Sequence, residues 1–196
     1  DFVAKGERFQ AVASELLEHL FTSKQSDLAA FLSSKLATGK AVQEVIDEAN
    51  ATMGEKVELR RLAVIQGSPN AQYLHRTSPD LPPQVGVLVA LAKDDAVVGK
   101  DIAQHIAAFA PQYLDRASVP TDVLEHERKV AEETSKNEGK PEAAIAKITE
   151  GRVTGFIKEV ALLEQAFAKD QKKSVAAILT EAQNSVSAFY RFRVGQ

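Results

Sequence analysis

The run Val85 to Ala92, VGVLVALA, constrains the fold more than any other stretch. It is almost continuously apolar and free of charge, which reads as a strand covered on both faces and therefore central in its sheet. Flanking strands are expected nearby. Gln72 to Arg76 reads as a short strand after the turn signal Ser68-Pro69-Asn70, with the proline-rich loop Pro79 to Pro83 following. Ser187 to Val194 alternates and reads as a final strand, with Phe189 and Phe192 among its apolar residues. Val57 to Ile65 reads as another strand, with Arg60 and Arg61 in its middle.

Between these runs the period changes to helical. Phe9, Val12, Ala13, Leu16, Leu17, Leu20 and Phe21 form one apolar stripe. Ser26 or Asp27 suits the cap of a second helix, which Gly39 follows. Val42, Val45, Ile46, Ala49 and Met53 make a third stripe, and Gly54 suits the position just past its end. Asp94 or Asp95 suits the cap of a helix running to about Phe109, with Val98, Ile102, His105, Ile106 and Phe109 on one side. From Pro120 the chain turns polar. Thr121 to Asn137 and about Glu142 to Ile157 read as two helices joined at Glu138-Gly139-Lys140-Pro141, a helical hairpin. Its thin stripe, Val123, Val130, Ala144, Ile145 and Ile148, reads as a protruding arm outside the core. Val175 to Ala182 is a last helix. A weak internal echo joins Leu59 to Gly67 with Phe189 to Gly195: each carries arginines and closes on glycine.

At 196 residues the chain holds one ordinary domain or two small ones. Its net charge of −3 argues against a general nucleic-acid binder, which needs a cationic field to release counterions. Without cysteine, neither a disulfide nor a thiolate metal site is possible. No apolar run approaches the ~20 residues of a membrane span. Phosphate loop, dinucleotide turn and nucleophile elbow are all absent, so no enzyme chemistry and no cofactor are expected. The four histidines are far apart in sequence. His19 and His126 read as surface residues, and His105 as a core histidine with its hydrogen bonds satisfied. His75, after Tyr73 and beside the proline loop, suits surface or site equally. Lys172, Lys173, Arg191 and Arg193 read as a solvated face.

The chain opens on Asp1-Phe2-Val3-Ala4-Lys5, a carboxylate beside an aromatic ring just ahead of an amphipathic helix. A ring there is either buried in its own domain or offered to a partner. With no initiator Met, the start reads as a point inside a longer protein.

Several segments, taken together and in order, resemble the elongation factor Ts family. They are DFVAK at Asp1 to Lys5, MGEKVELRRLAVIQG at Met53 to Gly67, YLH at Tyr73 to His75, GVLVAL at Gly86 to Leu91, GKP at Gly139 to Pro141, EGR at Glu150 to Arg152, LLEQAFAKD at Leu162 to Asp170, and FYRFRVG at Phe189 to Gly195. The resemblance implies an α+β fold: two related subdomains of antiparallel sheet with helices, plus an inserted antiparallel helical hairpin. The first subdomain would be 1–68, the second 69–112 with 161–196, and the coiled-coil arm 113–160. It also implies that the family's small N-terminal helical domain, and the strand leading into Asp1 and pairing beside Val57 to Ile65, are missing here. The chain also stops just after the Arg-Val-Gly strand.

The activity implied is guanine-nucleotide exchange on elongation factor Tu in the cytoplasm, with the factor binding both the GDP-bound and the nucleotide-free partner. No cofactor, direct nucleic-acid contact or membrane contact is implied. Carried over by position, Phe2 is a wedge entering the partner's nucleotide domain near its magnesium site, and Asp1 is its polar neighbour. Met53 and Gly54 match a helix-end contact to that domain, and His75 a histidine on the partner-facing side. Ala168 and Lys169 match a contact to the partner's distal domain, where the family carries bulkier apolar residues. An alternative from another class is a helical adaptor that binds a protein partner without nucleotide exchange.

Overall fold

The apolar run is a strand, β2 (Val85–Leu91), at the centre of a three-stranded sheet between β1 (Asn70–His75) and β5 (Val186–Arg193). The protein is described by a computed structural model covering residues 2–195, with only the backbone of Phe2 included. β2 and β5 pair antiparallel, Val87 opposite Arg191 and Val89 opposite Phe189. One face of β2, formed by Val85, Val87, Val89 and Leu91, packs on Ile102, Ala103 and Ile106 of α5 (Ala96–Phe109). On the other face Ala90 is buried and Leu88 half-buried, so the strand lacks alternation for the reason its composition suggested.

Asp95 starts α5 by accepting from the backbone N–H groups of Val97 and Val98, at 3.1 and 3.0 Å. Gly99 lets the helix settle against the sheet. A Cβ there would stand 2.6 Å from the Ala71 Cβ and 3.0 Å from the Leu91 Cδ1. Arg191 lies on the core side of β5 and is half-buried, donating through Nε and Nη2 to the Ala107 carbonyl near the end of α5 at 3.3 and 3.2 Å. This corrects the solvated reading of Arg191.

Two long helices follow, α6 (Thr121–Asn137) and α7 (Glu142–Val160), packed as a hairpin. Gly139 takes φ +69° at the turn, donating to the Lys136 carbonyl, and Pro141 opens α7. The seam differs from the expected stripe. Val130 is exposed, whereas Ala131, Ser135, Ile145, Thr149 and Val153 are buried. Helical phase explains this, since Ala131 and Ser135 lie four residues apart on one face and Val130 sits beside it. The last turns of α7 are core, with Ile157 and Val160 buried and the Val160 carbonyl accepting from the N–H groups of Gln112 and Tyr113. The root of the arm is therefore buried, against Leu124 of α6, and hydrogen-bonded to the chain that precedes the arm.

A short hairpin absent from the expectations comes next: β3 (Ala166–Phe167) pairs antiparallel with β4 (Asp170–Ser174). Helix α8 (Val175–Glu181), capped by Ser174, leads into β5.

The chain divides into two compact units. One gathers residues up to Gly67 with Leu74–Gln84, and the other gathers Ser68–Tyr73 with everything from Val85 onward. The first unit contains α1 (Phe2–Lys5), α2 (Glu7–Ser23), α3 (Leu28–Ser33) and α4 (Val42–Met53). Its core is Phe31, Leu36, Val42, Val45 and Ile46, with Val12, Leu16, Leu20, Leu59 and Leu62 packed on it.

Four expectations fail in this unit. Val57 to Ile65 belongs to no strand: no described strand pairs with it, and a strand requires a ladder partner. Its contribution is Leu59 and Leu62 to the helical core instead. The α2 stripe splits, leaving Leu17 and Phe21 exposed at 66% and 79% because they lie round the helix from Val12, Leu16 and Leu20. Helix α3 ends at Ser33, and Gly39 serves a turn bracketed by the isolated Lys35–Ala41 bridge. His19 is no bare surface residue: its Nε2 lies 2.7 Å from the Ser34 Oγ and its ring 5.4 Å from that of Phe31. Among the described residues, no helix is long and apolar enough to cross a membrane.

Candidate partner-binding site

The expected site residues fall in both units. Asp1, and the side chain of Phe2, lie outside the described residues. The backbone of Phe2 opens α1, a single helical turn broken from α2 by Gly6, whose N–H donates to the Val3 carbonyl at 2.9 Å.

Met53 and Gly54 mark the end of α4. Glu44 opens that helix by accepting from the Ala41 N–H at 2.8 Å. Gly54 closes it with φ +69° and donates to the Asn50 carbonyl at 3.2 Å. Met53 is half-buried there and Gly54 exposed. Asn50 then secures the outgoing chain. Its Oδ1 accepts from the Val57 N–H, and its Nδ2 donates to the Val57 carbonyl at 3.1 Å. An Asn in the last turn of a helix is a weak sequence signal for this clamp, and reasoning from periodicity passed over it. The helix end that carries Met53 and Gly54 is thereby tied to the chain that leaves it. His75, in the same unit, is exposed at the end of β1, with its carbonyl accepting from the Gln84 N–H at 2.9 Å.

In the second unit, Ala168 and Lys169 are the two turn residues of the β3–β4 hairpin, since Phe167 pairs with Asp170. Both are exposed. The Lys169 Nζ reaches the Asp101 Oδ1 on α5 at 2.6 Å. Beneath the turn lies His105, fully buried as expected of a core histidine. Its Nε2 is 2.8 Å from the Gln165 Oε1, its Nδ1 is 3.1 Å from the Ala168 backbone nitrogen, and its ring stacks on Phe109 with centroids 4.8 Å apart. Gln165, itself buried, donates from Nε2 to the Glu159 carbonyl at 2.6 Å. Burial lowers the His105 pKa below the ordinary 6.5, opposed by its hydrogen bond to Gln165.

Among the described residues no group of three His, Asp or Glu stands together as metal ligands. What the chain presents is a set of held backbone corners: a helix end, a strand end and a hairpin turn.

The family model described as elongation factor Ts matches residues 1–196. Elongation factor Ts of Streptomyces griseus is 56% identical over 195 residues, covering 100% of this chain and 70% of that protein. Elongation factor Ts of Acidothermus cellulolyticus is 55% identical over 196 residues, 100% of this chain and 71% of the relative. That of Thermobifida fusca is 50% identical over 196 residues, 100% and 70% respectively. The chain belongs to the elongation factor Ts family.

Elongation factor Ts proteins are exchange factors of translation elongation, so the α+β frame described above serves a protein-binding task. Within that frame the structure brings Met53 and Gly54 together at one helix end and Ala168 with Lys169 at one turn. His75 stands apart from Met53 along the sequence and on a different element of the same unit. The resemblance left two supports unnamed, the Asn50 clamp and the buried chain of bonds beneath Ala168.

Proposed function

We propose that this chain is a guanine-nucleotide exchange factor that binds elongation factor Tu·GDP and promotes GDP release by displacing the magnesium and phosphate-loop region. The match to curated elongation factor Ts proteins at 50% identity or more across the whole chain carries the reading. An exchange factor makes no covalent bond. It binds the nucleotide-free partner more tightly than the GDP form, and by linkage each ligand weakens the other.

Residue types support the detail. A phenyl ring is a rigid wedge with little rotamer entropy to lose, as Phe2 would be. The Asp1 carboxylate beside it disturbs the charge balance that holds GDP and magnesium. Met53 and Gly54 brace against the same partner domain from a helix end that Asn50 holds, and His75 adds a polar contact. Ala168 and Lys169 engage a second partner domain through a tight turn. The division into 1–68, then 69–112 with 161–196, and an arm at 113–160 goes with this reading, as does a cytoplasmic setting without cofactor or nucleic acid.

The experiment is release of labelled GDP from elongation factor Tu, stimulated by the wild-type chain and by Phe2→Ala. Losing a buried partner-facing aromatic typically costs ~2–4 kcal/mol, so stimulation should fall by about 30- to 1000-fold. Unchanged stimulation would remove Phe2 from the mechanism. Binding without any accelerated release, by the wild-type chain itself, would replace exchange with an adaptor role.

A further inference from the structure

Helix α5 carries His105 at a place where both ring nitrogens are spoken for, and the direction of every bond follows from one carbonyl. The Glu159 carbonyl only accepts, so the Gln165 Nε2 donates to it at 2.6 Å and the amide orientation is set. Gln165 therefore turns Oε1 toward His105, and the imidazole Nε2 must carry the proton it donates across 2.8 Å. In a neutral ring Nδ1 is then a bare lone pair, and it accepts the Ala168 N–H at 3.1 Å. One directed chain runs from the turn, through α5 and Gln165, to the last turn of α7, where carbonyls lack helical partners. Phe109 and Phe167 stack on the ring at 4.8 and 5.9 Å and hold its plane.

We infer that His105, as the neutral Nε2–H tautomer, is a positioning residue that locks the exposed Ala168–Lys169 turn in its binding geometry. The inference rests on the proposed contact of that turn with elongation factor Tu, and it assigns the orientation of the contact to a residue that itself touches no partner. Ala168 has no side-chain group with which to hold its own backbone. Its amide is instead anchored from below, while the Lys169–Asp101 ion pair steadies the turn from the side. A second proton on the ring would occupy Nδ1 and turn the acceptor into a donor facing a donor, releasing the turn. The charged groups on the packed elements are Lys100 and Asp101 on α5, Lys169, Asp170, Lys172 and Lys173 on the hairpin, Glu164 beside Gln165, and Lys158 and Glu159 in the last turn of α7. Asp101 and Lys169 pair with each other, and burial of the ring dominates over its bond to Gln165, favouring the neutral form.

Nitrogen NMR of the imidazole in the wild-type chain tests the lock directly. The expected spectrum shows a protonated Nε2, an unprotonated Nδ1 and coupling from the Ala168 N–H. A proton on Nδ1 would overturn the inference. Affinity for elongation factor Tu·GDP tests the consequence. His105→Phe keeps the packing and loses both bonds, and should bind about tenfold more weakly. It should also lack the loss of affinity expected of the wild-type chain as pH falls through the ring's folded pKa, which burial holds below 6.5. Ala168→Asp alters the contact itself, and adding His105→Phe to it should cost nothing further. Additive losses would overturn the positioning role. Unchanged affinity in Ala168→Asp would strike instead at the turn as a contact, with the spectrum still deciding the lock. Should His105→Phe fail to fold, the spectrum and the wild-type pH profile remain decisive.

Discussion

The β2–β5 pair with α5, and the helical arm, both in the second unit, are held together in opposite ways. Around β2 the buried groups are large and apolar, and the approach is so close that Gly99 leaves no room for a methyl group. Along the distal seam of α6 and α7 the buried groups are Ala131, Ser135, Ile145 and Thr149. Two of these are hydroxyls. Ser135 satisfies its own by donating to the Ala131 carbonyl at 2.7 Å, but the Thr149 Oγ1 is buried without a partner. Outside the seam, ion pairs such as Arg128–Glu150 at 2.8 Å and Arg152–Glu138 at 2.7 Å link the two helices. The difference shows where shape is enforced. Dense apolar packing penalises any change of volume, whereas a thin polar seam leaves helix geometry and the turn to set the arm's form.

The largest expected effect comes from filling the close approach. Gly99→Val should destabilise the protein by about 3 kcal/mol, since overpacking forces backbone to shift. A urea melt close to wild type would show that the sheet is not the stiff partner in the comparison.

His105 comes next, because it lies where the core meets the root of the arm. His105→Phe strands the Gln165 Oε1 and the Ala168 N–H, and should cost about 2 kcal/mol. Burial depresses the folded pKa, so below pH 6.5 the unfolded chain binds the extra proton more readily. The stabilisation is thus fully present above that pH and is lost as pH falls through the lowered folded value. Melts against pH should show a flatter acid limb in His105→Phe. An identical limb would mean that other groups carry it.

In the arm, Thr149→Val removes the orphaned hydroxyl at nearly constant volume and should stabilise by about 1 kcal/mol. Destabilisation would reveal a partner for that hydroxyl and make the seam a true polar network. Smallest of all, Arg128→Gln should leave the melting temperature where it is, because both partners of its ion pair are exposed and screened by water. A clear drop would mean that surface charge, not the seam, sets the arm's stability.

Much of this was legible from local pattern. A continuous apolar run can only be a covered strand or a buried helix, and the length of Val85 to Ala92 selected the strand. Asp95 as cap, Gly54 past the end of α4 and Gly139-Lys140-Pro141 at the arm's turn obey local stereochemistry that distant residues do not alter. For the site, family motifs named Met53, Gly54, His75, Ala168 and Lys169 and put the first two at a helix end, but the turn that carries Ala168 and Lys169 came only from the pairing of β3 with β4.

Other features depended on what lay alongside. Val57 to Ile65 has strand composition, but a strand is defined by its neighbour's hydrogen bonds, and no described strand provides them. Leu17 and Phe21 carry the hydrophobicity of Leu16 and Leu20, yet only helix rotation against Phe31 and Ile46 decides which of them is covered. The pairing of His105 with Gln165 spans sixty residues and that with Ala168 spans sixty-three, beyond any periodicity. Local stereochemistry is written residue by residue and can be read from the chain. Burial, pairing and proton placement belong to contacts between distant segments, and exist only once the tertiary fold has chosen them.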